Sequence, residues 1–391
     1  MSLYDRAEPG NGPLAGLRVV DLTTARAGPT CTRQLADMGA DVVWVANPHR
    51  SFDLGGSDQH NLRRNKRSVL LDLADPQGNG AFLRLADRAD VVVENYRPAV
   101  KHRLNIDYDI LSARNPRLVY ASISGFGQEG PHAGRPGVDQ IAQGVSGLMS
   151  VTGPPGEGPW RTGIAVSDTA AGTFLTQGVL AALLARERTG RGQWVHTSLL
   201  EAAINFMDFQ AVRWLTDGEI PPQEGNNHPT IVPMGTFTTA DGHVNVAPVG
   251  RLDDFATALG VPELIEDPRF ADLNSRRAHR DELAEIIQHR LATATTAEWV
   301  ERLNAAGCPC GPVLAVDETF ADSQVEHLNV FSMVPHPDGG EVAALRLPLT
   351  FSATPAAVGA GPVHPGHHTR EVLAELGYGP AEIEALAGPA A

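Results

Sequence analysis

Through the first third of the chain, short β-branched apolar runs alternate with stretches at helical spacing. This alternation constrains the fold more than any other feature. Segments 17–22, 41–45, 68–73, 90–94 and 118–123 read as strands, and 29–38, 76–88 and 108–114 read as helices between them. Short hydrophobic strands separated by helices imply a mostly parallel sheet covered on both faces. Right-handed crossovers then make it doubly wound, a Rossmann-like α/β domain.

Further along, a helix is expected from about 200 to 215, and the polar, proline-rich residues 217–233 read as a linker. The expected organisation is a large α/β domain over 1–216, a smaller α+β domain over 234–330, and a C-terminal segment, 331–391, that returns to the large domain. In the small domain, 236–239 and 243–247 flank Ala240-Asp241-Gly242, a hairpin signal. Helices are expected there at 253–259, 275–292 and 296–306. From 331 the prolines at 335, 337, 348 and 355 suggest loops, closed by a short helix over 369–376.

At 391 residues the chain is long enough for about two domains. Its formal charge of −15 argues against a nucleic-acid or anionic-membrane partner, either of which wants a basic face. The only dense basic run, Arg63-Arg64-Asn65-Lys66-Arg67, reads by default as a solvated surface stretch. No stretch approaches the ~18 consecutive apolar residues of a membrane span, and residues 1–12 are polar, so a cytoplasmic location is expected. Cys31, Cys308 and Cys310 cannot make a disulfide framework, and no second ligand pair completes a zinc site around Cys308-Pro309-Cys310; they read as structural thiols.

Several chemistries lack their motifs. The first strand-turn-helix, Val20 through Pro29, has no Gly-x-Gly-x-x-Gly, and the second strand ends Val45-Ala46-Asn47 with no acid for a ribose hydroxyl. That disfavours a nicotinamide dehydrogenase. No P-loop and no Gly-x-Ser-x-Gly elbow is present either. The histidines at 364–368 sit in a Pro/Gly loop, where metal binding is a weak expectation. Arg97 and Arg103 follow the fourth strand, at the sheet edge where open α/β folds bind ligands, and suit an anion. In Thr162-Gly163-Ile164-Ala165-Val166-Ser167-Asp168, one acid stands where a short apolar segment meets a helix expected over 169–188. Asp168 is placed at or beside its N-cap, where free amides and the helix dipole favour a carboxylate. Gly163, Gly172 and Gly178 leave room for a bulky ligand to approach the backbone.

Taken in order, these pieces resemble the class III coenzyme A transferases. The likeness runs over nearly the whole chain: Leu14-Ala15-Gly16-Leu17-Arg18-Val19-Val20-Asp21-Leu22, Ala27-Gly28-Pro29, Asn65-Lys66-Arg67-Ser68, Glu94-Asn95-Tyr96-Arg97-Pro98, Ser124-Gly125-Phe126-Gly127, Asp168, Arg188-Thr189-Gly190-Arg191-Gly192 and Cys310-Gly311-Pro312-Val313. The resemblance implies a large doubly wound domain, a smaller domain, and a homodimer of interlocked chains. It assigns Asp168 as catalytic nucleophile, and Ala25, Arg26, Leu71, Ala74, Asn95, Tyr96, Arg97, Arg103 and Asp139 to the neighbourhood of CoA. It further implies acyl-CoA and carboxylic acid substrates, with CoA as acyl carrier and no metal or redox cofactor.

The same family holds α-methylacyl-CoA racemases, which move a proton with a histidine in Gly-His-Asp-Ile-Asn-Tyr. The matching stretch here is Gly137-Val138-Asp139-Gln140-Ile141-Ala142, and valine cannot carry a proton. A racemase, or a degenerate member that only binds CoA, are the alternatives. Ala46 and Asn47 replace an acidic and a basic residue of many members, and Pro136 replaces a transferase lysine, so Arg50, Arg64 or Lys66 is expected to take over phosphate contacts. Arg26, unusual at a position near the acyl group, suits an acceptor carboxylate.

Overall fold

The computed structural model describes residues 12–49 and 56–387. By its internal contacts the chain divides into two compact units. The first takes the residues up to Leu148, then Arg161–Glu219, and everything from His327 onward; the second takes Met149–Trp160 and Ile220–Glu326.

The first unit is built on six parallel strands: β1 (Arg18–Asp21), β2 (Asp41–Ala46), β3 (Lys66–Leu70), β4 (Val91–Glu94), β5 (Val119–Ser124) and β6 (Trp194–Ser198). They lie in the order β3-β2-β1-β4-β5-β6, the doubly wound arrangement. The helices are α1 (Ala27–Asp37), α2 (Ser57–Arg63), α3 (Pro76–Asp87), α4 (Pro98–Arg103), α5 (Tyr108–Arg114), α6 (Asp139–Val145), the single turn α7 (Leu148–Val151) at the boundary between units, α8 (Val166–Thr189) and α9 (Leu199–Phe206). Successive strand residues serve opposite faces. Val19, Val42, Val91 and Val119 pack with α1, α8 and α9, whereas Val20, Val43, Val92 and Tyr120 pack with α3, α5 and the helix Thr369–Glu375. Both faces are buried, which is why these strands read as continuous apolar runs.

β6 is absent from the sequence reading. Its Trp-Val-His-Thr-Ser pattern mixes polar and apolar residues because it lies on the sheet's outer edge, with Trp194 partly exposed. The region after 331, expected as loops, contains an antiparallel hairpin, β10 (Phe331–Pro335) with β11 (Glu341–Leu345). Pro335 ends its strand, where a missing N–H costs little.

The second unit is a three-stranded antiparallel sheet, β7 (Gly235–Thr238), β8 (His243–Val246) and β9 (Cys310–Pro312), whose core is shared with helices Leu252–Leu259, Arg280–Leu291 and Thr296–Ala305. The helix expected over 275–292 is interrupted: Leu273–Ala278 ends at His279, where the backbone turns to φ −115°, ψ 31°. Residues 220–233, read as linker, belong to this unit, and so does Met149–Trp160. The reason is local hydrogen bonding: the Gln223 amide donates to the Thr152 carbonyl at 2.6 Å, and the Gly225 amide donates to the Gly153 carbonyl at 3.0 Å. Among the described residues, no helix is long and apolar enough to cross a membrane.

Candidate active site

The strand order reverses between β1 and β4, so the loops after these two strands part and leave a crevice at the carboxyl edge of the sheet. The loop after β1 carries Ala25 and Arg26, and the loop after β4 carries Asn95, Tyr96 and Arg97. Asn95 clamps the two together. Its carbonyl oxygen accepts from the Thr24 amide at 3.0 Å, and its amide nitrogen donates to the Thr24 carbonyl at 2.7 Å. Glu94 holds the second loop from below by accepting the Tyr96 amide at 2.8 Å. Ala25 adopts φ +61°, a left-handed conformation that L residues rarely take. Leu71 and Ala74 follow β3 at the same edge, with Leu71 buried and Ala74 exposed. Arg97 is exposed at the start of α4 and Arg103 is exposed in its last turn. Neither takes part in an ion pair among the described residues.

Asp168 lies on α8, whose start corrects the sequence expectation. The N-cap is Ala165, which offers no side-chain hydrogen bond, and Asp168 is the third helical residue. The capping task falls to Asp139, at the head of α6. Its Oδ1 accepts the Ser167 amide at 3.0 Å and the Ser167 hydroxyl at 2.6 Å, while Oδ2 accepts from the Gln143 amide at 2.7 Å. Arg161 stands 3.4 Å from the same oxygen. Asp139 therefore fixes the first turn of α8, and the Asp168 carboxyl has no hydrogen bond among the described residues. The Asp168 carboxyl is pushed up to about 6, chiefly by burial and further by the neighbouring Asp139 carboxylate, with the Arg26 guanidinium opposing. Asp168, Asp139 and Arg26 are thus brought together.

The glycines explain how α8 reaches that position. A Cβ on Gly172 would lie 2.5 Å from the Ala27 carbonyl oxygen, and one on Gly178 would lie 2.6 Å from Val195 Cγ1. These two glycines serve close packing, α8 against α1 and against β6, rather than ligand approach. Of the three glycines around Asp168 singled out by the sequence, Gly163 is the one that faces open space. Since Gly172 is one turn past Asp168, its contact with Ala27 sets Asp168 beside the start of α1, where Arg26 stands.

Other expectations fail for one reason: buried cations pair internally. Lys66 Nζ lies 2.9 Å from Asp21 Oδ2 and donates to the Thr32 hydroxyl at 2.7 Å, and Arg64 Nη2 lies 2.6 Å from Asp37 Oδ2. All four charged side chains are at most 2% exposed. The basic run is therefore not a solvated stretch, and Arg64 and Lys66 are committed away from any CoA phosphate; Arg50 lies outside the described residues. Arg26 too has a partner that sequence did not suggest. Its Nη2 meets both oxygens of Asp58, on α2, at 2.7 Å. The available signal was only a lone acid in the first turn of a short polar helix. A cavity of about 600 Å³ in the second unit, lined by Asn227, His228, Asn245 and Cys310 among others, includes none of these residues.

A doubly wound sheet with a partly buried carboxylate beside the loop after β1 has the architecture of an α/β enzyme with its ligand crevice at the switch point. The chain matches CoA-transferase family III over residues 14–369. It is 36% identical to the succinate–glutarate CoA-transferase of Agrobacterium fabrum over 388 residues, covering 93% of this chain and 96% of that one. It is 34% identical to the formyl-CoA:oxalate CoA-transferase of Streptomyces coelicolor, covering 95% and 97%. Among solved structures, a CaiB/BaiF family protein from Brucella suis superposes with a TM-score of 0.82 at 34% identity, covering 94% of this chain and 100% of that one. The protein belongs to CoA-transferase family III and is a CoA-transferase.

Proposed function

We propose that the protein moves CoA from an acyl-CoA donor to a carboxylic acid, with Asp168 as the nucleophile. An Asp168 oxygen attacks the thioester carbonyl and the C–S bond breaks, giving a mixed anhydride and CoA thiolate. The thiolate attacks the aspartyl carbonyl of the anhydride, releasing the donor acid and leaving an aspartyl-CoA thioester. An acceptor carboxylate then attacks that thioester, and the thiolate freed in that step takes the acceptor acyl group as the new acyl-CoA. Every step exchanges one acyl bond for another, so electrons and protons balance without a redox or metal cofactor. CoA itself is the acyl carrier.

One observation carries this reading: Asp168 is partly buried, and its carboxyl accepts no hydrogen bond among the described residues and is raised to about 6. A carboxylate stripped of solvent and donors attacks a thioester better than a hydrated one, and at neutral pH this one is still ionised. Relatives are named for dicarboxylic acids, including succinate and glutarate, mesaconate and oxalate. A dicarboxylic acid is accordingly the substrate class we favour. Val138 occupies the position where the racemase histidine is expected and cannot move a proton, which disfavours racemisation.

Exposed apolar side chains at the head of α6, on α6, on α9 and in the residues after it, among them Val138, Val145, Phe206 and Trp214, support a homodimer, which we take to be interlocked. Three unpaired cysteines fit a reducing compartment, the cytoplasm. The deciding experiment incubates the enzyme with succinyl-CoA, traps with hydroxylamine, and maps the product by peptide mass spectrometry. Modification is expected at Asp168, and Asp168→Asn is expected to lose turnover by at least about 10³-fold. Turnover that survives this substitution overturns the mechanism, and an unmodified but CoA-binding protein marks a degenerate member.

A further inference from the structure

We propose that Arg26 anchors the distal carboxylate of a dicarboxylic substrate, and that Asp58 is an internal carboxylate holding that place until the substrate arrives. The inference rests on the reading of Asp168 given above. Arg26 immediately precedes Ala27, whose carbonyl abuts Gly172 one turn beyond Asp168, so Arg26 projects from the end of α1 that packs against the Asp168 turn, and its charge is felt by that carboxylate. One nitrogen, Nη2, makes both contacts to Asp58, which leaves Nε and Nη1 donating to nothing among the described residues. That open edge gives an incoming carboxylate a first foothold before it displaces Asp58.

The pair is also poorly sealed. The Arg26 and Asp58 side chains are 33% and 50% exposed, and ion pairs this wet contribute little, so a carboxylate delivered by a tethered substrate can displace Asp58 at small cost. Its geometry is already that of a guanidinium with a carboxylate, the recognition a substrate would reuse. Charge points the same way. Asp168, Asp139 and Asp58 would repel a dianion, and Asp139 is already satisfied by Ser167, Gln143 and Arg161. Arg26 is the cation beside Asp168 whose contacts leave it able to offset a substrate's second charge. An acid with an uncharged tail gains nothing from Arg26 and leaves the Asp58 pair in place.

The test compares glutarate with its monomethyl ester as acceptors, using succinyl-CoA as donor, across wild type, Arg26→Leu, Arg26→Lys and Asp58→Asn. Wild type should prefer glutarate. Arg26→Leu should lower the glutarate-to-monoester ratio of kcat/KM by about 100-fold, mainly through KM for glutarate, and Arg26→Lys should restore part of it. Asp58→Asn should lower KM for glutarate about 3- to 10-fold and leave the monoester near its wild-type value. A wild-type preference for the monoester, equal losses on both acceptors in Arg26→Leu, or an Asp58→Asn variant that binds glutarate more weakly each overturn the proposal. Thermal melts establish that the variants fold, and Asp58→Asn keeps the test alive if Arg26→Leu does not. Hydroxylamine trapping separates the two ideas: a label on Asp168 in Arg26→Leu with unchanged acceptor ratio sinks the anchor alone, whereas a wild type that is never labelled there sinks the nucleophile.

Discussion

Two sets of charges in the first unit obey opposite rules. Beneath the loops, Lys66 with Asp21, Arg64 with Asp37, and Lys101 with Glu94 are closed pairs whose side chains are at most 2% exposed, and most carry further hydrogen bonds. At the switch point, the Asp168 carboxyl accepts no hydrogen bond among the described residues, and Arg26 keeps a wet, one-nitrogen contact with Asp58. The interior pairs hold the loops in place. Asp21 accepts the amide and hydroxyl of Thr23 as well as Lys66, and Glu94 accepts the Tyr96 amide as well as Lys101, so Lys66 and Lys101 each support the root of one loop at the switch point, while Arg64 ties the end of α1 to the start of β3. The contrast teaches that satisfied charges build the frame, whereas the charges at the switch point are left with capacity that the proposed chemistry would use.

Breaking an interior pair should have the larger effect on stability. Lys66→Met leaves the Asp21 carboxylate buried without its cation, and a loss of about 3–5 kcal/mol is expected in urea unfolding. Arg26→Leu, at the wet pair, should move the same curve by less than about 1 kcal/mol. Equal losses would erase the distinction.

Asp168 should behave in the reverse sense. Its folded carboxyl titrates near 6, above the ordinary 3.8, so the folded state holds that proton more tightly than the unfolded chain. The side chain therefore costs nothing below about pH 4 and destabilises progressively as pH rises towards 6. Asp168→Asn should match wild type in stability at pH 4 and exceed it by about 1–2 kcal/mol at pH 8, after allowance for solvent screening. A gain that shrinks as pH rises would mean the carboxylate is stabilised in the fold. The smallest effect concerns the loop itself. Ala25→Gly relieves a left-handed alanine against a more flexible unfolded chain, with a net gain below about 1 kcal/mol in thermal unfolding.

The doubly wound sheet was legible because strands buried on both faces announce themselves as unbroken apolar runs. β6 was not, since an edge strand needs no such run. Asp168 could be singled out from local pattern, but its capping could not. The donor turn is held by Asp139, 28 positions earlier, and Arg26 is met by Asp58, 32 positions away. Local spacing carries no information about contacts closed by the tertiary fold. The basic run misled for a related reason. Along β3 the charged Lys66 points inward to a waiting acid, and composition alone reads every lysine as wet.

The outer edge of β3 has one more consequence. Its free backbone is covered by residues from the far end of the chain: the His368 amide donates to the Ser68 carbonyl at 2.8 Å, and the Leu70 amide donates to the Thr369 hydroxyl across a separation of 299 residues. During synthesis, the strands encoded first must wait for almost the last helix before this flank is sealed. Until then they present an open template to any passing strand. Acquisition of the native sheet is thus tied to synthesis of residues 366–375, and a nascent chain halted short of Gly366 should be a client for holding chaperones rather than a folded domain.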